Sequence, residues 1–130
     1  MNIYAVVAGV LALFAAIGHL AIGKKMFLNP MMHAEFDPLA KKVMQSVFHY
    51  ISVFLFLTAY ILIMPGVRGA DCAIDPTPVF GFIGVNYLLF AIAQIIIALR
   101  AKISLFKMFQ WIFWILIAVF SFLAAGAVNM

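Results

Sequence analysis

The sequence predicts an all-α polytopic membrane protein, an antiparallel four-helix transmembrane bundle. Two observations carry this prediction. Of the 130 residues, 68% are hydrophobic and 9% charged, with a mean hydropathy of +1.22. A soluble fold of this size exposes too much of its surface to bury so much apolar material. This composition excludes a soluble enzyme, a nucleic-acid-binding module and a disordered tail.

The second observation is a set of four long apolar runs, at residues 3–22, 43–64, 79–99 and 106–128. Their interiors carry no Asp, Glu, Arg or Lys apart from Lys107 at the edge of the fourth run. About 20 residues of helix cross about 30 Å of hydrocarbon. Strict alternation, which a membrane strand requires, is absent. We therefore expect one transmembrane domain over residues 1–130, with consecutive helices antiparallel because the connectors are short. No Lys or Arg precedes the first run, which favours a retained helix over a cleaved signal peptide.

The connectors carry turn and cap signals. Asn29-Pro30 predicts a turn, and Asp37 followed by Pro38 predicts a helix start capped by Asp37. A short interfacial helix leading into the second span is expected there. Pro65-Gly66 through Pro78 is rich in helix breakers and predicts the second connector.

The basic residues predict the orientation of the chain. Seven of the eight lie in or beside the first and third connectors, namely Lys24, Lys25, Lys41, Lys42, Arg100, Lys102 and Lys107. The second connector has only Arg68. The positive-inside rule then places both termini outside, and size and composition favour a bacterial inner membrane. The single cysteine, Cys72, would lie on the outer side as a free thiol, a crosslink to a partner chain or a tolerated loop residue.

A layer of polar residues is predicted near the inner face. Each run places one His or Gln at a similar depth, in order His19, His49, Gln94 and Gln110, with Gln45 one turn below His49. Helical spacing puts these residues on stripes of small or polar side chains, which in membranes face neighbouring helices. The stripes are Ala5, Gly9, Ala12, Ala16 and His19; Gln45, His49, Ser52, Phe56 and Ala59; Gly84, Tyr87, Ala91, Gln94 and Ala98; and Gln110, Trp114, Ile117, Ser121 and Ala124.

Several interpretations of this layer stay open. The His and Gln side chains can simply bond helix to helix. His19 and His49 can be the two axial ligands of a haem b, with Gln94 and Gln110 as supporting groups. A quinone is the third interpretation, in an aromatic cleft that includes His49, Tyr50, Gln94 and Trp114. A metal site at His33 and Glu35, next to Met31 and Met32, is a further alternative to a solvated loop.

Gly18-His19, Gly23-Lys24-Lys25 and Phe48-His49 resemble a group of small, uncharacterised four-helix bacterial membrane proteins. That group has a Gly-His pair and an aromatic-His pair at these places. Here Phe48 stands where Trp is expected. The resemblance covers the first half of the chain and implies that His19 and His49 act together.

The function expected from the sequence is a non-catalytic accessory subunit or binding module. Such a protein would oligomerise or dock on partner membrane subunits in the lipid bilayer, without nucleic acid. The alternative is a redox protein that binds haem b or quinone through His19 and His49. No carboxylate lies within the spans for an ion exchanger, and no hydrolytic triad or phosphate loop is present.

Overall fold

The computed structural model describes residues 1–69 and 74–128, and within these ranges the chain is helical with no strand. The elements are α1 (Ile3–Gly18), a π-helix (His19–Leu28), α2 (Asn29–His33), α3 (Pro38–Arg68), α4 (Thr77–Arg100), a 3-10 turn (Leu105–Met108) and α5 (Gln110–Val128). This confirms the predicted all-α class.

Four rods are long and apolar enough to cross a membrane. α1, the π-helix and α2 follow one another without a break over Ile3–His33, and α3, α4 and α5 are the other three rods. At most 28% of the residues in the apolar window of each rod are buried inside the protein. Large apolar side chains such as Phe14 and Phe82, each 64% exposed, therefore cover the outside. A surface of this kind suits lipid better than water.

Neighbouring rods run antiparallel. The N-terminal end of α1 meets the C-terminal ends of α3 and α5, since Asn2 N–H donates to Gly66 O at 2.7 Å and Asn2 Nδ2 donates to Ala124 O at 2.9 Å. Gln94 in α4 bonds Gln110 at the start of α5. α1 thus packs between α3 and α5, and α5 packs between α1 and α4.

Small residues let α1 approach its neighbours closely. Ala5, Ala8, Ala12 and Ala16 are fully buried. At Gly9 a Cβ atom would lie 3.0 Å from the backbone nitrogen of Ile63 and 3.1 Å from Ala59 O in α3. In a membrane, close packing of this kind contributes much of the association energy between helices. The predicted stripes of α1, α4 and α5 are the buried ones, although Gln94, Gln110, Trp114 and His19 at their inner ends are only half-buried.

The predicted stripe of α3 is only partly confirmed, because Ser52 and Ala59 are buried and its other three residues are not. His49 and Phe56 are exposed, and Gln45 is half-buried. The face that packs inward includes Ser52, Leu55, Ala59, Leu62 and Gly66. The prediction chose the face from its polar residues, but near the end of a long rod these can reach water or headgroups and need not face a neighbour.

Two predicted breaks are absent. At Asn29-Pro30 the rod continues, and Pro30 lies in the first turn of α2 directly after the π-helix. Pro65 and Gly66 lie inside α3, one turn before its end at Arg68. Gly66 is needed for packing there, since a Cβ atom would lie 3.0 Å from the Val6 nitrogen.

The predicted cap is confirmed. Asp37 accepts a 2.7 Å hydrogen bond from Ala40 N–H, with Pro38 in the first helical turn. The expected short interfacial helix is not separate from the second span, because α3 is continuous from Pro38. The apolar stretch from residue 106 begins as a 3-10 turn, and α5 starts at Gln110. Cys72 and Asp71 lie outside the described residues.

Candidate functional site

A cavity of about 610 Å³ lies at the end of the bundle that also carries the basic connectors. Its wall comes from the last turns of α1, the π-helix, Phe48 of α3 and the start of α5. Six aromatic side chains line it, namely Phe14, Phe27, Phe48, Phe109, Phe113 and Trp114. The polar side chains on its wall are those of His19 and Gln110, and we call it the His19–Gln110 cavity. Phe14 and Ile17 on its rim are exposed on the outer surface, so the cavity communicates with the surroundings of the helices.

The π-helix shapes this wall. It begins at His19 and ends where Asn29 N–H donates to Lys24 O, five residues back. Side chains four residues apart lie on one side of a π-helix, as they do on an α-helix. His19, Gly23 and Phe27 thereby share the cavity side. Gly23 lies against both rings, since an added Cβ would make ordinary van der Waals contact with the Phe48 ring at 3.5 Å and with His19 Nδ1 at 3.6 Å.

His19 is fixed by α3. Its Nε2 lies 3.0 Å from Phe48 O, and its ring stacks on the Phe48 ring with centroids 4.0 Å apart. A carbonyl oxygen only accepts, so Nε2 carries the proton and donates. In the neutral ring Nδ1 is then an acceptor. Among the described residues Nδ1 has no hydrogen-bond partner.

A chain of hydrogen bonds through Gln94 of α4 orients the side-chain amide of Gln110. Trp114 Nε1 can only donate, and it donates to Gln94 Oε1 at 2.8 Å. Gln94 Nε2 therefore faces the other way and donates to Met108 O at 3.0 Å and to Gln110 Oε1 at 2.8 Å. This leaves the Gln110 amide nitrogen as a donor without a partner in the described part of the chain. The two polar residues of the wall thus carry one acceptor without a partner among the described residues, His19 Nδ1, and one such donor, Gln110 Nε2.

The structure does not bring His19 and His49 together. His49 is exposed, and it is absent from the wall of the cavity that His19 lines. The residue of α3 that faces His19 is Phe48, one position earlier and about 100° around the helix. Two imidazoles facing one another, as a bis-histidine haem requires, are therefore not formed by these two residues. Gln45 is also away from the cavity and accepts from Lys42 Nζ at 3.2 Å.

The predicted metal residues have no cluster around them. His33 Nδ1 lies 2.7 Å from Asn29 O one turn back, and both His33 and Glu35 are exposed. Within residues 1–69 and 74–128 no three His, Cys, Asp or Glu side chains come close enough to hold a metal ion. The geometry here is that of a solvated turn.

Of the predicted site residues, His19, Gln110 and Trp114 lie on one cavity, with Gln94 behind them. The sequence did not predict that Phe48 and Gly23 line the site. Both belong to the motifs Phe48-His49 and Gly23-Lys24-Lys25, but only the two histidines were candidate ligands.

No family model, curated protein or solved structure matches this chain. The resemblance to a four-helix bacterial group and its implied pair of histidines therefore stay predictions. Fold and site define the chain as a helical bundle with four rods that could span a membrane and an aromatic cavity with two oriented polar groups.

Proposed function

We propose that this chain is an integral protein of a bacterial inner membrane, with both termini outside, and that it is a non-catalytic binding module for a quinone-class ligand. The single observation that supports the ligand class is the His19–Gln110 cavity. Its volume of about 610 Å³ lies within the range of small-molecule sites, which are mostly apolar with a few placed polar groups.

A quinone matches this wall better than a simple lipid chain. The flat ring can stack among the six aromatic side chains, which prefer offset or edge-to-face arrangements. A ring oxygen can accept from Gln110 Nε2, which otherwise remains a donor without a partner. The apolar rim at Phe14 and Ile17 gives an isoprenoid tail a way out toward lipid.

The membrane orientation is supported by the charges. Contacts between the rods put the seven basic connector residues at the end of the bundle that holds the cavity, and Arg68 near the other end. The positive-inside rule then puts the cavity in the cytoplasmic half of the bilayer. Association with itself or with partner subunits follows as a further prediction, measurable by native mass spectrometry of protein extracted in mild detergent.

Haem b is a weaker candidate for this cavity. It offers one histidine, and the Nε2 atom of that histidine is already bonded to Phe48 O. Neither Gln94 nor Gln110 is an axial ligand of the usual kinds.

The chain provides its own fluorescence reporter for quinone binding. It has two tryptophans, and only Trp114 lies on the cavity wall. In a Trp111→Phe variant reconstituted in nanodiscs, titration with decylubiquinone should quench Trp114 along a saturable curve. Trp114→Phe, which keeps only Trp111, should show the weak linear quenching of a probe in the bilayer.

A matched pair of glycines tests the location. At Gly18 and at Gly81 no atom lies within 4 Å of an added Cβ, so a side chain can begin at either position without a clash. Gly18 lines the cavity and Gly81 does not. In the Trp111→Phe background, Gly18→Leu should abolish the saturable quenching and Gly81→Leu should keep it. Linear quenching in the parent, or equal saturable quenching in both glycine variants, would overturn the proposal.

A further inference from the structure

The two polar groups on the cavity wall differ in kind, and this difference discriminates between the redox forms of a ring. In the neutral ring of His19, Nδ1 is an acceptor because Phe48 O holds the proton on Nε2. Gln110 presents Nε2, a donor, because Gln94 engages its oxygen. A quinone has only acceptors, so it can satisfy Gln110 and cannot satisfy His19. A hydroquinone carries O–H groups that donate as well as accept.

We propose that the His19–Gln110 cavity selects the reduced, hydroxyl-bearing form of its ligand, a hydroquinone, over the quinone. This inference rests on the proposed function. A hydroquinone O–H donates to His19 Nδ1, and a ring oxygen accepts from Gln110 Nε2. In the quinone complex the Nδ1 lone pair would instead face an apolar ring or another acceptor.

The size of the preference follows from the cost of an unpaired polar group. Leaving a desolvated acceptor unpaired costs about as much as a lost hydrogen bond, which corresponds to roughly tenfold in a dissociation constant. His19 is half-buried, so part of this cost is relieved by any water that reaches Nδ1. We therefore expect the hydroquinone to bind several-fold to tenfold more tightly.

Three positions have distinguishable roles in this selection. Gln110 donates to an oxygen of either redox form, so Gln110→Leu should weaken both by similar factors. His19 accepts only from the hydroquinone, so His19→Phe should weaken the hydroquinone and leave the quinone nearly unchanged. Gln94 is a positioning residue, since it acts only through the Gln110 amide. In Gln94→Leu the Gln110 amide is free to turn its oxygen into the cavity, and the preference for hydroquinone should increase as quinone binding falls.

The experiment is an anaerobic competition in nanodiscs with the Trp111→Phe protein. Decylubiquinone quenching of Trp114 gives the quinone dissociation constant. Recovery of the fluorescence on adding decylubiquinol, which displaces the quinone, gives the dissociation constant of the hydroquinone. The protein with the native residues at the site should bind the hydroquinone more tightly than the quinone. This preference should be lost in His19→Phe and kept in the control His49→Phe, because His49 is exposed away from the cavity.

The outcomes separate the inference from the proposed function. Saturable binding with equal affinity for both forms, or tighter quinone binding, would overturn the inference and leave the binding module intact. Absence of saturable quenching by the quinone and of any competition would overturn both. Should His19→Phe lose the fold, its circular dichroism melt will show it. His19→Asn, with a shorter side chain and its own carbonyl acceptor, then serves as the second variant and should restore part of the preference.

Discussion

Gly9 gives the sharpest test of how the helices pack. At this position a Cβ would lie 2.5 Å from Ile63 Cγ1, 3.0 Å from the Ile63 nitrogen and 3.1 Å from Ala59 O. The Ile63 side chain can rotate away, but the two backbone atoms cannot. In Gly9→Ala, α1 and α3 must therefore separate by a few tenths of an ångström, which loosens the contacts of the neighbouring buried alanines.

A second glycine serves as the control for measuring the stability cost of overpacking at Gly9. Gly81 lies in α4 with no atom within 4 Å of an added Cβ. Each Gly→Ala change gains up to about 1 kcal/mol of helix propensity, and this gain cancels in the comparison. Overpacking typically costs about 1–3 kcal/mol. Gly9→Ala should thus be about 1–3 kcal/mol less stable than Gly81→Ala, a factor of roughly thirty in the unfolding equilibrium at the middle of this range.

The assay is reversible unfolding in mixed micelles with increasing SDS, followed by circular dichroism. Gly81→Ala should be as stable as the parent or slightly more stable. If Gly9→Ala proves equal to Gly81→Ala, then α1 and α3 do not approach as closely as described, and the argument from small residues fails.

Three further predictions follow from other contacts. Tyr87 is fully buried and donates to Thr58 Oγ1 at 2.6 Å, while Thr58 itself donates to Phe54 O or Leu55 O. Tyr87→Phe should therefore lower the stability by only about 0.6 kcal/mol, whereas Thr58→Val leaves the tyrosine hydroxyl without an acceptor and should lower it by about 1–3 kcal/mol. The reverse order of stability in SDS unfolding would contradict this assignment of donor and acceptor. A membrane-impermeant maleimide should label the single Cys72 from outside intact cells. It should fail to label Ser104→Cys in a Cys72→Ser background, because Ser104 lies at the basic end of the bundle. Labelling of Ser104→Cys alone would mean that the orientation is inverted. Protein expressed with haem precursor should show no Soret band before or after dithionite, and a band that disappears in both His19→Ala and His49→Ala would refute the separation of these two residues.

The sequence predicted three of the four packing faces because in those helices the small residues and the polar residues coincide. Ala5, Gly9, Ala12 and Ala16 lie on one stripe of α1, and Gly84 and Ala91 on one stripe of α4. In α3 the two signals conflict. Ser52, Ala59 and Gly66 recur every seven residues on the buried face. Gln45 continues this spacing but is only half-buried near the start of the helix, and His49 is exposed. Small residues were the better guide here, because close approach depends on the absence of side-chain bulk along the whole helix, while a polar group near a helix end can be solvated from outside.

The site itself could be predicted only in part, because its chemistry depends on orientation. Depth along the helix selected His19, Gln94 and Gln110, but it also selected His49 and Gln45, which lie away from the cavity. It could not show that Trp114, a donor only, turns the Gln94 amide and so decides which end of Gln110 remains free. Nor does the stretch His19–Leu28 carry a recognisable signal for the π-helix that provides much of the cavity wall. The acceptor at His19 and the donor at Gln110 therefore depend on contacts with side chains and backbone of α3, α4 and α5. Substitution of Gln94, which does not line the cavity, should change which ligand the cavity prefers.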